Sequence, residues 1–201
     1  MNKILILYPE LFNCHEKFCR KVSRIISNID NIAIFCPADK NNLIRGYLKE
    51  KLPDVPFLEV SNWELEEFTH AIIFDDGEEF AKEIDLLKSK NIPLRIINIK
   101  ITRVVNIKRE EKYKFDKSTP DYEYIGRGSY WGNPYSMYEE GDDRDEVIRK
   151  YKYDFDYEKF PNKEKSEVYK LAGKRLGCFC KPQTCHGDIL AGYLNSWDDG
   201  K

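Results

Sequence analysis

The residues best equipped for chemistry crowd one stretch near the C-terminus. LGCFCKPQTCHGDIL places Cys178, Cys180, Cys185 and His186 within nine residues, in a protein with 3 histidines in all. Read as a site, an alternating strand over RLGCFC sets Cys178 and Cys180 on one face, a four-residue turn comes next, and Cys185 opens a helix. There the helix dipole and free backbone N–H groups favour a thiolate, with His186 as general acid/base and Asp188 as its orienter or as the base. Read as a metal centre, Cys178, Cys180, Cys185 and His186 offer four ligands, but C-x-C-x4-C-H is not the spacing of paired zinc knuckles. Read as structure alone, buried cysteines behave as small hydrophobes. The convergence of nucleophile, proton carrier and carboxylate at one helix start favours the site.

A second constellation, YIGRGSYWGNPY, sets Arg127 between Gly126 and Gly128, directly after an expected strand and ahead of Tyr130 and Trp131. Glycine lets the backbone approach a ligand closely and take positive φ. The Arg127 guanidinium can fork onto a phosphate or carboxylate, and Trp131 can stack on a base. The same residues also make an ordinary turn, with the aromatics in a small core and Arg127 paired at the surface. In the first half, the expected strands deliver Tyr8-Pro9-Glu10, Cys36-Pro37-Ala38-Asp39 and Phe74-Asp75-Asp76-Gly77-Glu78 to the crevice beyond their carboxyl ends. No G-x-G-x-x-G comes after the first strand, so the dinucleotide fingerprint is missing. Asp76 and Gly77 are candidate ligand contacts, yet an acidic strand-to-helix turn reads equally well, and carboxylates repel a phosphate unless a cation intervenes.

These residues need elements to carry them. Apolar runs at 3–8, 32–37, 56–60, 70–76 and 93–99 read as strands, and between the first two Phe18, Val22, Ile25 and Ile26 recur at helical spacing. Further helices are expected at about 39–51 and 78–90. Strands that are continuous apolar runs indicate a parallel sheet covered on both faces. A charged, turn-rich passage from Lys108 to Pro120 marks a domain boundary. Beyond it come a strand at 122–126, the glycine and aromatic loop at 126–138, the acidic cluster Glu139–Asp143, helices at about 142–155 and 162–173, a strand at 175–180 and a helix from Cys185 to about Leu194. The expected fold is α/β: a Rossmann-like, mainly parallel sheet with helices on both faces over residues 1–108, and a smaller C-terminal α/β domain over residues 109–201.

With 201 residues and 41% hydrophobic content, the chain can bury a core in each part. Its 33 basic and 35 acidic residues leave a net charge of −2, so no global field draws it to nucleic acid or membrane, and an anion must be held locally. The apolar run in MNKILILYPELFNC stops before Pro9, too short for a secretion signal or a membrane span, so a cytoplasmic, reducing setting with free thiols is expected.

The order strand, DDG, helix, with IPLRIINI behind it, resembles the Rossmann-like nucleotide-binding superfamily that includes the Lonely Guy cytokinin-activating enzymes and the DprA proteins. Members usually carry more glycine after the fourth strand and a Gly-Thr pair ahead of a catalytic Glu; here Asp76-Gly77-Glu78-Glu79-Phe80 keeps Gly77 alone, so the resemblance implies the fold and not the phosphoribohydrolase chemistry. YIGRGSYWGNPY, a helix bearing Arg144 and Tyr151, and LAGKRLGCFCKPQTCHGDIL together resemble the bacterial and phage family known as domain of unknown function 4326. The matching positions are Gly126, Arg127, Gly128, Trp131, Gly132, Asn133, Pro134, Gly173, Lys174, Cys178, Cys180, Pro182, Cys185, His186, Gly187 and Asp188. The resemblance implies a phage or prokaryotic origin and a domain identity without a reaction. Within it, Arg127, Asn133 and Lys174 have the character of anion- and amide-recognition groups.

The reading that results is a protein that binds a nucleotide or nucleotide-derived small molecule and hydrolyses its glycosidic or phosphate bond, as a nucleotide hydrolase or N-glycosidase. Cys185, His186 and Asp188 are the catalytic candidates; Gly126, Arg127, Gly128, Trp131, Asn133, Lys174, Asp76 and Gly77 are the ligand-binding candidates. One rival is a non-catalytic sponge that sequesters a nucleotide immune signal as an anti-defence protein. Another is a zinc-stabilised interaction module on Cys178, Cys180, Cys185 and His186. The leading reading expects no cofactor, no metal, no direct nucleic-acid contact and no membrane partner, and a homo-oligomer is compatible with it.

Overall fold

The computed structural model describes residues 1–110, 112–113, 117–137 and 141–201. Glu111 and Lys114–Asp116 of the charged passage, Tyr138 at the end of the glycine loop, and Glu139 and Glu140 of the acidic cluster lie outside the described residues. The chain divides into two compact units, Met1–Ile99 with Ser196–Lys201, and Lys100–Asn195.

In the first unit, β1 (Asn2–Leu7), α1 (His15–Ile26), β2 (Ile32–Cys36), α2 (Leu43–Lys51), β3 (Phe57–Glu59), β4 (His70–Asp75), α3 (Ala81–Ser89) and β5 (Leu94–Asn98) alternate along the chain. The five strands are all parallel in the order β3-β2-β1-β4-β5, with Leu5 of β1 beside Phe35 of β2 and Ala71 of β4. IAIFC is buried at every position because helices cover both faces of the sheet, which is why it reads as an unbroken apolar run. Alternation sends Leu5, Leu7, Phe35, Ala71 and Ile73 to one face, against Ile84 and Leu87 of α3. On the other face Phe18 of α1 stacks on Phe74 with ring centroids 5.2 Å apart and meets Tyr47 of α2 edge-on. Helix α2 begins at Leu43, later than the apolar period suggests, because the buried Asp39 stays outside it and accepts the N–H groups of Ile44 at 3.1 Å and Arg45 at 2.9 Å.

The second unit contains β6 (Arg103–Asn106), β7 (Tyr122–Tyr124), α4 (Arg144–Asp156), a 3-10 segment (Lys165–Leu171), β8 (Arg175–Cys178) and α5 (His186–Asn195). Its three strands are parallel in the order β6-β8-β7. Strand β6 had no signal in the period: RVVN is four residues long, and its pairing partner lies some seventy residues on. The expected helix over 162–173 is the 3-10 segment, and the expected strand over 175–180 stops at Cys178. It stops because the Asn106 amide donates to the carbonyls of Phe179 at 3.2 Å and Lys181 at 2.5 Å, which draws the backbone out of the ladder. Tyr151, Phe155, Leu176, Leu190 and Leu194 form the centre of the core, and the buried Asn195 closes α5 by pairing both amide atoms with the Thr102 backbone. No helix among the described residues is long and apolar enough to cross a membrane.

Candidate functional site

The site of the second unit is built on the segment between β8 and α5. The strand ends at Cys178, Cys180 comes two residues later, and Cys185 stands immediately before α5. The three sulfurs lie within 4.8 Å of one another, and those of Cys178 and Cys180 are 3.5 Å apart, far beyond a disulfide bond of about 2.05 Å. All three are free thiols; Cys178 and Cys185 are buried and Cys180 is half-buried. Hydrogen bonds from Cys178 and Cys185, with the Arg144 guanidinium beside them, hold the Cys180 thiol well below the usual thiol range. Engagement with Cys180 pushes Cys178 up, and engagement with Cys178 and Cys180 together with burial pushes Cys185 up. The helix position favours a thiolate at Cys185, whereas the half-buried Cys180 shares its cavity with the Arg144 guanidinium and the buried Cys185 has the Asp188 carboxylate at its own N–H, surroundings that favour the anion at Cys180.

That cap is Asp188. Its Oδ2 accepts the Cys185 N–H at 2.9 Å, the carboxylate half of a capping box, and its Oδ1 pairs with Lys181 Nζ at 2.5 Å. His186 is buried against the edge of Tyr151, and its Nε2 donates to the Ile125 carbonyl at 2.8 Å, so the neutral ring carries its proton there. Burial lowers its pKa. Gly187 lets this first turn sit close: a Cβ there would stand 2.6 Å from Ile125 Cδ1 and 3.3 Å from Cys185 Sγ.

A cavity of about 190 Å³ opens beside the thiols, lined by Cys180, Cys185, His186 and Phe179, by Arg127, Asn133, Tyr135 and Met137 of the loop, and by Arg144, Val147 and Ile148 of α4. The loop is folded on itself: Ser129 Oγ donates to Gly126 O at 2.7 Å, Gly128 takes φ +83°, and a Cβ on Gly132 would stand 2.5 Å from Gly126 O. Arg127 is exposed and has no hydrogen bond or ion pair among the described residues. Arg144 donates to Thr184 O at 3.3 Å, which ties α4 to the turn carrying the thiols. Of the other expected contacts, Trp131 is buried in the core, its carbonyl accepting the Tyr151 hydroxyl at 3.0 Å, so it offers no stacking face. Asn133 reaches the cavity, but its amide donates to Val147 O and its carbonyl accepts the Tyr135 N–H. Lys174 precedes β8, at the opposite end of the strand from Cys178, and is paired with Glu123 at 2.9 Å. Sequence reasoning tied Arg144 to the resemblance alone and missed Asn106; neither has a local signal linking it to cysteines so distant along the chain.

In the first unit, Asp76 and Gly77 form the turn after β4. Gly77 has φ +83° and donates to Asp75 Oδ1 at 3.0 Å, while Glu78 N–H donates to Asp76 Oδ1 at 3.1 Å, the bonding of an acidic turn. At the same sheet edge, Asp39 Oδ1 accepts the Tyr8 hydroxyl at 2.5 Å, so the α2 amides already hold an internal carboxylate. Two larger cavities, about 510 and 750 Å³, open at the amino ends of the strands beside Ile4 and His70 and beside Met1 and Ile32, the edge away from that used for ligands in doubly wound sheets. His15 and Cys19 of α1 and Glu50 of α2 also meet, with His15 Nε2 3.0 Å from Glu50 and 3.3 Å from Cys19; the H-x3-C helical spacing was the overlooked signal.

A parallel five-stranded Rossmann-type sheet and, after it, a smaller parallel unit with a thiol-lined cavity define a two-module α/β protein. Residues 1–105 match the family described as the minimal SLOG domain, and the protein belongs to that SLOG-like, nucleotide-related family; residues 105–196 match the family described as domain of unknown function DUF4326. The chain is similar to the uncharacterized 12.4 kDa protein in the nrdA-td intergenic region of Enterobacteria phage T4, at 38% identity over 98 residues, which are 48% of this chain and 80% of the phage protein. No solved structure gives a significant match.

Proposed function

We propose that the second unit binds the anionic end of a nucleotide or nucleotide-derived small molecule in the cavity beside the thiols. The observation that carries this reading is the placement of two guanidinium groups, Arg127 and Arg144, on one cavity, with Arg127 unengaged among the described residues. A guanidinium with spare donors at a concave, partly apolar surface favours a phosphate or carboxylate. The nucleotide class is supported by the family of the first unit. At about 190 Å³ the cavity is smaller than the roughly 300–1,000 Å³ of a site that engulfs its ligand, so it takes a phosphoryl or ribosyl end and leaves the rest outside.

Cleavage of a glycosidic or phosphate bond is the activity proposed for this site, with Cys180, Cys185 and His186 as the groups at the cavity wall. Asp188 acts by holding the start of α5 rather than by reaching the reacting atoms. Capture without turnover is the rival function. Calorimetry with a panel of mononucleotides, dinucleotides and cyclic nucleotides tests binding, and chromatography of the incubated ligand separates turnover from capture. Binding abolished by Arg127→Ala supports the site; undiminished binding removes it.

A further inference from the structure

We infer that Cys178, Cys180 and Cys185 form a three-thiolate site for a thiophilic divalent cation, zinc being the ion this donor set suits, with its fourth position open to the cavity of Arg127 and Arg144. The sulfurs lie within 4.8 Å of one another, with one pair at 3.5 Å. A tetrahedral ion with Zn–S bonds of about 2.3 Å sets its sulfurs about 3.8 Å apart, so side-chain rotations alone bring the three onto one ion. The surroundings match a thiolate site as well. Arg144 lines the same cavity as Cys180 and Cys185 and is anchored beside them by its bond to Thr184 O at 3.3 Å. Three thiolates and a dication leave one negative charge, which Arg144 offsets; each ligating thiol releases its proton to solvent.

The scaffold holds the ligands in place beforehand. Asn106 fixes the carbonyls of Phe179 and Lys181, Arg144 fixes that of Thr184, and the Lys181–Asp188 pair closes the same turn onto α5. A strand end, the turn and a helix start thereby deliver three sulfurs that the C-x-C-x4-C spacing alone does not bring together. His186 stays outside the group of converging donor atoms and its Nε2 is spent on Ile125 O, so the ligand set is three and not four. Cys180 and Cys185 line the cavity, which leaves the fourth position to water or to an anionic ligand, the arrangement of a reactive rather than a closed structural ion. The identity of that fourth ligand rests on the proposed anion site; the cation itself rests on the thiols.

The test uses the full chain, purified reduced, stripped with a chelator and titrated with Co2+ and then Zn2+. One equivalent of Co2+ with a near-ultraviolet thiolate charge-transfer band, displaced by Zn2+, is expected. Cys178→Ser, Cys180→Ser and Cys185→Ser should each weaken binding roughly tenfold or more, whereas Cys19→Ser and His15→Ala should not. No band in the reduced wild-type chain, or a band lost with Cys19→Ser and kept by the other three variants, overturns the inference. Because a core serine can unfold the unit, maleimide labelling of the wild-type chain gives a second readout: Zn2+ should protect the three thiols together and a chelator expose them together, and labelling indifferent to both overturns the site. Calorimetry with nucleotides on zinc-loaded and stripped chains separates the two proposals. A cobalt band without nucleotide binding leaves the cation and removes the anion site; nucleotide binding without a band does the reverse.

Discussion

A thiol's reactivity is set by its immediate neighbours, and of three cysteines a few ångströms apart here one has surroundings unlike the other two. Cys180 is half-buried and faces Arg144, while Cys185 and Cys178 are buried and engaged with it. In chelator-treated protein at neutral pH, alkylation read by mass spectrometry should therefore mark Cys180 before Cys185, and before Cys36, whose thiol is pushed up to about 12 by burial. Faster labelling of Cys185 would return the thiolate to the helix start. Arg127→Lys keeps the charge at the cavity but loses the planar fork, so ligand affinity should fall by about 1–3 kcal/mol, roughly 5- to 150-fold. The melting temperature should not change, since Arg127 is exposed and holds nothing among the described residues; calorimetry and a thermal melt check the two halves.

At the scale of elements, two carboxylates at expected ligand or catalytic segments, Asp39 and Asp188, bond the backbone amides at helix starts. Asp39 gives its carboxylate to two α2 amides and to the Tyr8 hydroxyl. Asp39→Ala removes a cap and strands a part-buried hydroxyl, and should cost about 2–3 kcal/mol in urea unfolding. Asp188→Ala removes the cap of α5 and the partner of Lys181, and should cost about 1 kcal/mol with faster amide exchange over Cys185–Ile189. Helix and strand identity was legible in the apolar period, as for Phe18, Val22 and Ile26 of α1 or IAIFC of β2, because periodicity is a local property. The ends of elements were not: β8 stops at Cys178 because of side-chain bonds from Asn106, far away along the chain, and the Asp39 that bonds the first α2 amides is itself held by the distant Tyr8 hydroxyl.

For the whole molecule, the last six residues belong to the first unit, where Asp199 pairs with the buried Lys17 at 2.7 Å and Asp198 with Arg20 at 2.6 Å. Deleting Ser196–Lys201 removes the carboxylate partners of Lys17 and Arg20, and the first unit should lose about 1–3 kcal/mol, read as increased deuterium uptake in α1. Unchanged uptake would make the tail dispensable. The sequence by itself determined the α/β class, the parallel sheet of the first unit and the motif that carries the thiols, since continuous apolar strands and residue spacing are written along the chain. Only the tertiary structure decided what those residues do. It spent Asn133, Lys174 and Asp188 on internal bonds, buried Trp131, and set Arg144 and Asn106 beside the cysteines. The physical reason is that hydrogen-bond partners and burial are assigned between segments remote in sequence, where no local spacing records them.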